Sequence, residues 1–355
     1  MNQIETPVTE LSVAAAGLLP FGLQDIEQIR LLLRGDSVVD WRRLAFRDLK
    51  HVDQFLRQTG IRHDEPGDMM RLDFIHSRAL DYIDHHVPRA LADEVRRPVD
   101  VRELLLLASR NGPAQRDACM VLKVMHIVHH VAGRELLYRL PVPIKELFHR
   151  IETQVFDALD GMKAAGVRVT EFAGSRKSAD SIITKLLSRA DSQAAEVHDR
   201  LRFRVVTETL EDLFGALVFI TRNLLPFNYV VPGQSRNDLI DLMATLESDP
   251  RLRPIGGLLQ ELPGSHGVGP RPNTFSARGF RMVNFVIDMP VFIDDLVGLL
   301  PNYSARDGHV VFLLVEFQLL DAETDLLNNT GENRHALYKE RQRARVAERL
   351  LGEGG

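Results

Sequence analysis

The hydrophobic pattern of this chain changes its period near residue 166, and that change limits the folds open to it. In Met69–His86 and Ala114–Val131, apolar residues recur every three or four positions, as on the buried face of a helix. From Val167 to Phe172, apolar and polar residues alternate with a period of two, as in a strand. The sequence therefore predicts a helical segment over residues 1–150, followed by a segment that contains strands.

Strands and helices alternate after a helix predicted at Lys145–Ala165, as in α/β or α+β folds. The predicted elements are strand Val167–Phe172, helix Ser178–Arg189, strand Leu201–Thr207, helix Leu210–Leu224, a short strand around Asn228–Val231, a helix near Asn237–Leu246, strand Gly279–Ile287 and strand Val310–Val315. The last strand is apolar enough to be buried on both faces, and Glu316 is predicted at its exit. The tail Glu332–Leu351 is predicted as a charged helix with a solvated face.

Composition and charge narrow the class of protein. The 44 Lys and Arg residues against 49 Asp and Glu residues give a formal charge of −5, so no overall attraction to nucleic acid or anionic membrane is encoded. The single cysteine, Cys119, cannot form an internal disulfide. Pro20 interrupts the apolar stretch Leu11–Leu23, which is neither a signal peptide nor a membrane span. We expect a cytoplasmic protein without membrane contact.

Four polar signatures follow one another in the second half of the chain. They are Lys177-Ser178-x-x-Ser181-x-x-x-Lys185, then Asp199-x-x-x-x-Arg204, then Gly279-Phe280, then Glu316-Phe317-Gln318. Backbone N–H groups, hydroxyls and cations at the start of a helix favour phosphate binding. A carboxylate at a strand edge can hold Mg²⁺, which keeps most of its waters and bridges phosphate oxygens. The order of the signatures predicts chemistry on nucleotides.

These signatures resemble the synthetase domain of RelA/SpoT-type pyrophosphokinases over about Phe172–Leu320. In that family, a nucleotidyltransferase-like mixed β-sheet transfers pyrophosphate from ATP to a ribose 3′-hydroxyl, usually of GDP or GTP, to make the alarmones of the stringent response. A branch of small toxic relatives modifies the 3′ end of tRNA. The resemblance implies a nucleotidyltransferase-like α+β fold for a synthetase domain over 151–330. The sequence pattern predicts an all-helical domain over residues 1–150 before it and a charged C-terminal helix over 331–355 after it.

The resemblance also implies a role for each matching residue. Asp199 and Glu316 are the catalytic carboxylates and the Mg²⁺ ligands, and Glu316 polarises the attacking hydroxyl. The ATP and phosphate ligands are Arg176, Lys177, Ser181, Lys185 and Arg204. On the acceptor side, Phe280 stacks on the base, and Asn284 and Gln318 bind the nucleotide.

Departures from the family pattern leave the acceptor open. Ser175 stands where the family has Arg, Arg202 where Gly is usual, Met282 and Asn284 where Ser and His are usual, and Leu319 where Arg is usual. A transfer to tRNA is one alternative, with Arg251, Arg253, Arg271 and Arg278 as candidate RNA contacts. A nucleotide-sensing module that binds without turnover is another, and a homo-oligomer is also open.

The histidines of the helical segment do not form a hydrolase signature. His63-Asp64 is predicted to lie in a turn because Glu65-Pro66-Gly67 follows it. His126 and His130 are one helical turn apart, but Ile127 stands where a zincin would have Glu. We expect these histidines to be surface or semi-buried residues of an amphipathic helix.

Overall fold

Helices fill the first part of the chain in this computed structural model, which describes residues 22–35, 44–188, 200–248, 280–330 and 335–351. The Asp48 side chain caps the second helix by accepting from the His51 backbone N–H, and Pro66 opens the third helix, where no donor is needed. The described helices before the first strand are α1 (Leu23–Arg34), α2 (Leu49–Gln58), α3 (Pro66–His86), α4 (Asp93–Arg96), α5 (Glu103–Ser109), α6 (Gln115–Arg139) and α7 (Ile144–Ala164).

One five-stranded sheet follows in the described part of the chain. Its strands are β1 (Val169–Arg176), β2 (Leu201–Thr207), β3 (Arg236–Asn237), β4 (Val283–Phe292) and β5 (Val310–Asp321). Their order across the sheet is β1-β2-β5-β4-β3, with β2 and β5 parallel and the other neighbours antiparallel. The interleaved and following helices are α8 (Ala179–Ser188), α9 (Leu210–Asn223), α10 (Leu242–Ser248), α11 (Ala322–Asn328) and α12 (His335–Leu351). A mixed sheet flanked by helices confirms the α+β class.

One face of this sheet is the main hydrophobic core. Phe203, Phe285 and Phe317 lie side by side on β2, β4 and β5, with 5.5 Å from the Phe317 ring centroid to each neighbour, and all three are almost completely buried. Helices α7 and α9 pack over them. Burial of each ring contributes about 1.5–3 kcal/mol relative to exposure. Because side chains alternate along a strand, the residues next to these phenylalanines point to the opposite face of the sheet.

Helix α6 covers part of the opposite face, over the first half of β5. A Cβ atom at Gly133 would lie 2.4 Å from Cε2 of Phe312, so only glycine allows this approach of helix to sheet. His130 Nε2 lies 2.7 Å from Asp288 Oδ2 on β4, and Arg134 Nη1 lies 3.5 Å from Asp288 Oδ1. The second half of β5 extends past this contact.

The buried apolar residues form two clusters. The larger one contains the sheet core with α7, α9, the end of α6 and residues of α1 such as Ile26 and Ile29. The smaller one lies among α2, α3, α5 and the rest of α6. The domain boundary predicted near residue 150 stays a prediction.

Several predicted elements differ in extent from the observed ones. The strand predicted around Asn228–Val231 is a 3₁₀ turn, Phe227–Tyr229, followed by a single bridge between Val230 and Ile287. The helix predicted near Asn237–Leu246 begins only at Leu242, because the Asn237 side chain accepts from the Leu239 and Ile240 N–H groups and holds a turn. Among the described helices, none combines the length and apolarity needed to cross a membrane.

Candidate functional site

The face of the sheet opposite the phenylalanine core carries two rows of polar side chains. Residues paired across neighbouring strands point to the same side of a sheet. The first row pairs Arg202 on β2 with Glu316 on β5. The second row runs across four strands and consists of Arg204, Gln318, Asn284 and Arg236. Four of the predicted site residues are thus brought together on one surface.

Glu316 lies in the middle of β5, and the prediction that it stands at the strand exit is wrong. The strand continues because Phe317 and Leu319 keep pointing into the core, although Gln318 between them interrupts the apolar run. The Glu316 residue is 9% exposed, so its carboxylate needs partners.

Two side-chain amides hold that carboxylate. Gln318 Nε2 donates to Glu316 Oε1 over 3.2 Å. In the amide orientation that satisfies both of its polar atoms, Asn284 Nδ2 donates to the same oxygen over 2.7 Å and to the Phe317 carbonyl over 3.2 Å. The amides fix the carboxylate's direction without neutralising its charge. A carboxylate held this way can accept a proton from a hydroxyl or bind a cation.

The first turn of α8 places hydroxyls and cations close to the end of β1. Lys177 lies between the two elements, and its N–H bonds to the Arg200 carbonyl over 3.0 Å. The Ser178 hydroxyl caps the helix, accepting from the Ser181 N–H over 3.3 Å. Lys185, one turn after Ser181, belongs to the same helical face. The turn has the groups predicted for phosphate binding. One of its N–H groups, that of Ser181, is already used in capping the helix.

Helix α12 brings a further cation to this turn. It packs against α8, and Lys339 Nζ lies 3.5 Å from Ser181 Oγ. The sequence predicted a solvated helix here and missed this contact. Hydrophobic periodicity gave no signal for it, because less exposed positions of the helix such as Lys339 and Gln342 are polar and only Val346 among these three is apolar.

Two predicted phosphate ligands are engaged with carboxylates. Arg204 forms an ion pair with Asp325 of α11, and its Nε lies 3.8 Å from Glu171 of β1. Arg176 forms a two-pronged pair with Glu152 of α7, with nitrogen–oxygen distances of 2.7 and 2.6 Å. These hydrogen bonds raise the pKa of Arg176 and lower the pKa of Glu152.

Arg176 also lies on the other face of the sheet. It is paired with Leu201 of the core side, whereas Ser175 is paired with Arg202 and accepts from Arg202 Nε over 3.3 Å. Because side chains alternate along a strand, a displacement of one residue reverses the face. The structure does not bring Arg176 together with the other predicted phosphate ligands, and Arg202 occupies the polar face at that level.

The acceptor side and the metal site are partly described. Phe280 is half-buried three residues before β4, and its carbonyl accepts from Arg236 Nη2 over 2.7 Å. Asp199 lies outside the described residues, which themselves contain no group of three acidic, histidine or cysteine side chains fit for a metal. Mg²⁺ usually binds through one or two carboxylates plus substrate phosphates, and the assignment of Asp199 and Glu316 as its ligands stays a prediction.

Comparison with known proteins gives only distant similarity. No family model matches the sequence, and no curated protein matches it. The small alarmone synthetase 1 of Bacillus subtilis bound to its product pppGpp shares 12% identity at a TM-score of 0.32, covering 59% of this chain and 89% of that one. A GTP pyrophosphokinase family protein from Streptococcus pneumoniae shares 12% identity at a TM-score of 0.31, covering 59% and 88%. This similarity is too weak to assign the chain to a family.

Proposed function

We propose that this protein transfers pyrophosphate from ATP to the 3′-hydroxyl of a nucleotide acceptor of the GDP or GTP type, with Mg²⁺. The observation that carries the proposal is the Glu316 carboxylate, which two amides orient on a sheet face that also presents Arg202 and Arg204. Such a face places a proton acceptor beside cations suited to phosphates.

Each group has a proposed part in the reaction. Glu316 takes the proton of the 3′-hydroxyl while the 3′-oxygen bonds to the β-phosphorus of ATP. The bond from the β-phosphorus to the α–β bridging oxygen breaks, and AMP leaves with that oxygen. Lys177, Ser181, Lys185 and Lys339 bind the phosphates at the start of α8. Arg204 joins them by exchanging Asp325 for a phosphate, while Arg202 takes the place predicted for Arg176.

The acceptor and the metal complete the proposal. Phe280 stacks on the acceptor base, an interaction worth about 1–3 kcal/mol in single-strand binders. Asn284 and Gln318 position the ribose beside Glu316. Asp199 and Glu316 would hold Mg²⁺, which neutralises phosphate charge when bound.

Release of AMP from labelled ATP tests this function directly. Wild-type protein with ATP and Mg²⁺ is offered GDP, GTP or deacylated tRNA in parallel. We expect label transfer to a guanine nucleotide and a loss of about a hundredfold or more in Glu316→Gln, which keeps the shape and removes the base. Glu323→Gln on the exposed side of α11 is the matched control and should keep full activity. Equal rates in the two variants would contradict the role of Glu316.

A nucleotide-sensing module is the second candidate. The observation that favours it is the pairing of Arg204 with Asp325 and Glu171, which places carboxylates where phosphates would bind. This candidate predicts ATP binding without AMP release from any mixture. AMP release that needs deacylated tRNA would instead identify RNA as the acceptor.

A further inference from the structure

A cavity of about 60 Å³ lies apart from the polar sheet face, among α2, α3, α5, α6 and the turn Phe227–Tyr229. This volume has room for about four to six water-sized spheres. Most of the lining is apolar, and His126, His129 and Asn228 belong to its polar part. The one charged lining residue, Arg102, is held by Asp53 and Asp100. The cavity is therefore small, largely apolar and locally polar.

Three buried polar atoms on these lining residues lack protein partners. Within the described residues, His126 Nε2, His129 Nδ1 and Asn228 Oδ1 have no hydrogen-bond partner. Their residues are 6%, 7% and 5% exposed, so the prediction of surface or semi-buried histidines is wrong for His126 and His129. A buried donor or acceptor without a partner costs free energy, and three around one cavity are unusual. They point to a bound molecule that supplies the partners.

The other hydrogen bonds of these residues fix what the three atoms offer. His129 Nε2 lies 2.9 Å from the Thr59 carbonyl, which only accepts, so the proton is on Nε2 and Nδ1 is an acceptor. Asn228 Nδ2 donates to His126 Nδ1 over 3.1 Å, so the His126 proton is on Nε2, which is a donor. Asn228 Oδ1 is the second acceptor.

This inventory does not depend on the amide orientation. If Asn228 is rotated, its oxygen accepts from His126 Nδ1, its nitrogen becomes the donor and His126 Nε2 becomes an acceptor. Either way the three groups present one donor and two acceptors. A primary amide is the complement, since its oxygen accepts and its NH₂ group donates twice.

We infer that this cavity binds a small uncharged molecule that carries a primary amide. The two histidines stay neutral, because burial lowers the pKa of His126 to about 3 and that of His129 to about 4, and Asp53 and Asp100 already balance the charge of Arg102. A charged ligand would lose its hydration without gaining a counter-charge. The inference concerns a separate cavity and does not depend on the transfer reaction proposed above.

Three solutes of the same size test the inference on the wild-type protein. Acetamide has one acceptor and two donors, acetone has the acceptor alone, and acetate is charged. We expect acetamide to shift the ring nitrogen resonances of His126 and His129 saturably near pH 8, with a dissociation constant no tighter than about 40 µM for four heavy atoms. Acetone and acetate should bind at least about tenfold more weakly.

Two outcomes would overturn the inference. No saturable shift with acetamide up to about 100 mM, far above the expected range, would mean that water alone fills the cavity. Equal affinities for acetamide and acetone, measured from the histidine resonances, would mean that the cavity does not select a ligand by its hydrogen-bond donors.

A variant separates hydrogen bonding from shape. Asn228→Leu keeps the number and branching of the side-chain heavy atoms, and it should weaken acetamide binding about tenfold or more while leaving acetone binding unchanged. His51→Gln, on the exposed side of α2, is the control and should bind acetamide normally. An unchanged acetamide affinity in Asn228→Leu would contradict the assignment. If this variant does not fold, the three-solute comparison on wild-type protein decides alone.

Discussion

At the scale of single residues, two sets of buried polar groups differ in how many hydrogen-bond partners the described part of the protein supplies. Glu316 has two amide donors on one oxygen, which hold it in one direction. The cavity histidines keep ring nitrogens without protein partners. A group in the first arrangement is positioned for chemistry, and a group in the second depends on a molecule from outside. Both arrangements make predictions that a single substitution can check.

Asn284→Leu removes the shorter of the two hydrogen bonds to Glu316. Hydrogen bonds to charged groups contribute about 1.5–3 kcal/mol, so we expect kcat for AMP release to fall by about tenfold or more. The KM for ATP should change little, because the proposed partner of Asn284 is the acceptor and not ATP. Asn111→Leu, at an exposed position between α5 and α6, is the control. A kcat within about twofold of wild type would mean that Gln318 alone orients the carboxylate.

The buried histidines predict a loss of stability on mild acidification. The folded pKa values of His126 and His129, about 3 and about 4, lie below the unfolded value of 6.5, so the unfolded chain binds more protons as the pH falls below 6.5. Each histidine then removes up to about 1.4 kcal/mol of stability per pH unit until its folded pKa is reached. His129→Gln can still donate to Thr59 and should flatten the slope of unfolding free energy between pH 6.5 and about 5. An unchanged slope would contradict the lowered pKa.

At the scale of elements, the existence of the strands and helices is predicted better than where they end and which elements they pack against. The range of β2 matches its prediction because the apolar residues Leu201, Phe203 and Val205 alternate with arginines along it. The prediction ended β5 too early, at Val315, because the charged Glu316 interrupts the apolar run and the partner strands that stabilise β5 are distant in sequence. The packing of α12 on α8 escaped prediction for the same reason: a charged pattern does not say which neighbour covers it.

Lys339 tests the contact between α12 and α8. A cation on a phosphate contributes a charge-assisted hydrogen bond, so Lys339→Met should raise the KM for ATP by about tenfold. Arg343→Met, one turn later and exposed, removes the same charge from the same helix and should change KM less than about twofold. Equal effects of the two variants would show that only the general charge of α12 matters.

At the scale of the whole molecule, α6 joins the helices to the sheet. Its contact rests on Gly133 against Phe312 and on His130 and Arg134 against Asp288. The sequence predicted the helix but not this crossing, because a glycine inside a helical pattern does not indicate which side chain packs against it. Four predicted site residues, Arg204, Asn284, Glu316 and Gln318, lie on the polar face because strand register places them there. Arg176 lies on the other face because it is one residue away from the strand position that faces the polar side.

Gly133→Ala probes this crossing. Alanine favours the helix by about 1 kcal/mol, but its Cβ would lie 2.4 Å from a buried ring, and overpacking costs about 1–3 kcal/mol. We expect a net loss in the urea unfolding free energy. Gly67→Ala, in α3 with no atom within 4 Å of its new Cβ, should be neutral or stabilising. A stabilised Gly133→Ala protein would mean that α6 shifts easily over the sheet.

The central place of β5 affects how this chain folds as it is synthesised. β5 pairs with β2 on one side and β4 on the other, and it is the last strand of the sheet in sequence. Until β5 is made, the β1–β2 and β3–β4 ribbons share no strand, and β2 and β4 each have an open edge. Such edges bind other chains readily. The two ribbons therefore join into one sheet only when β5 is available, which makes closure of the sheet a late step of folding during synthesis.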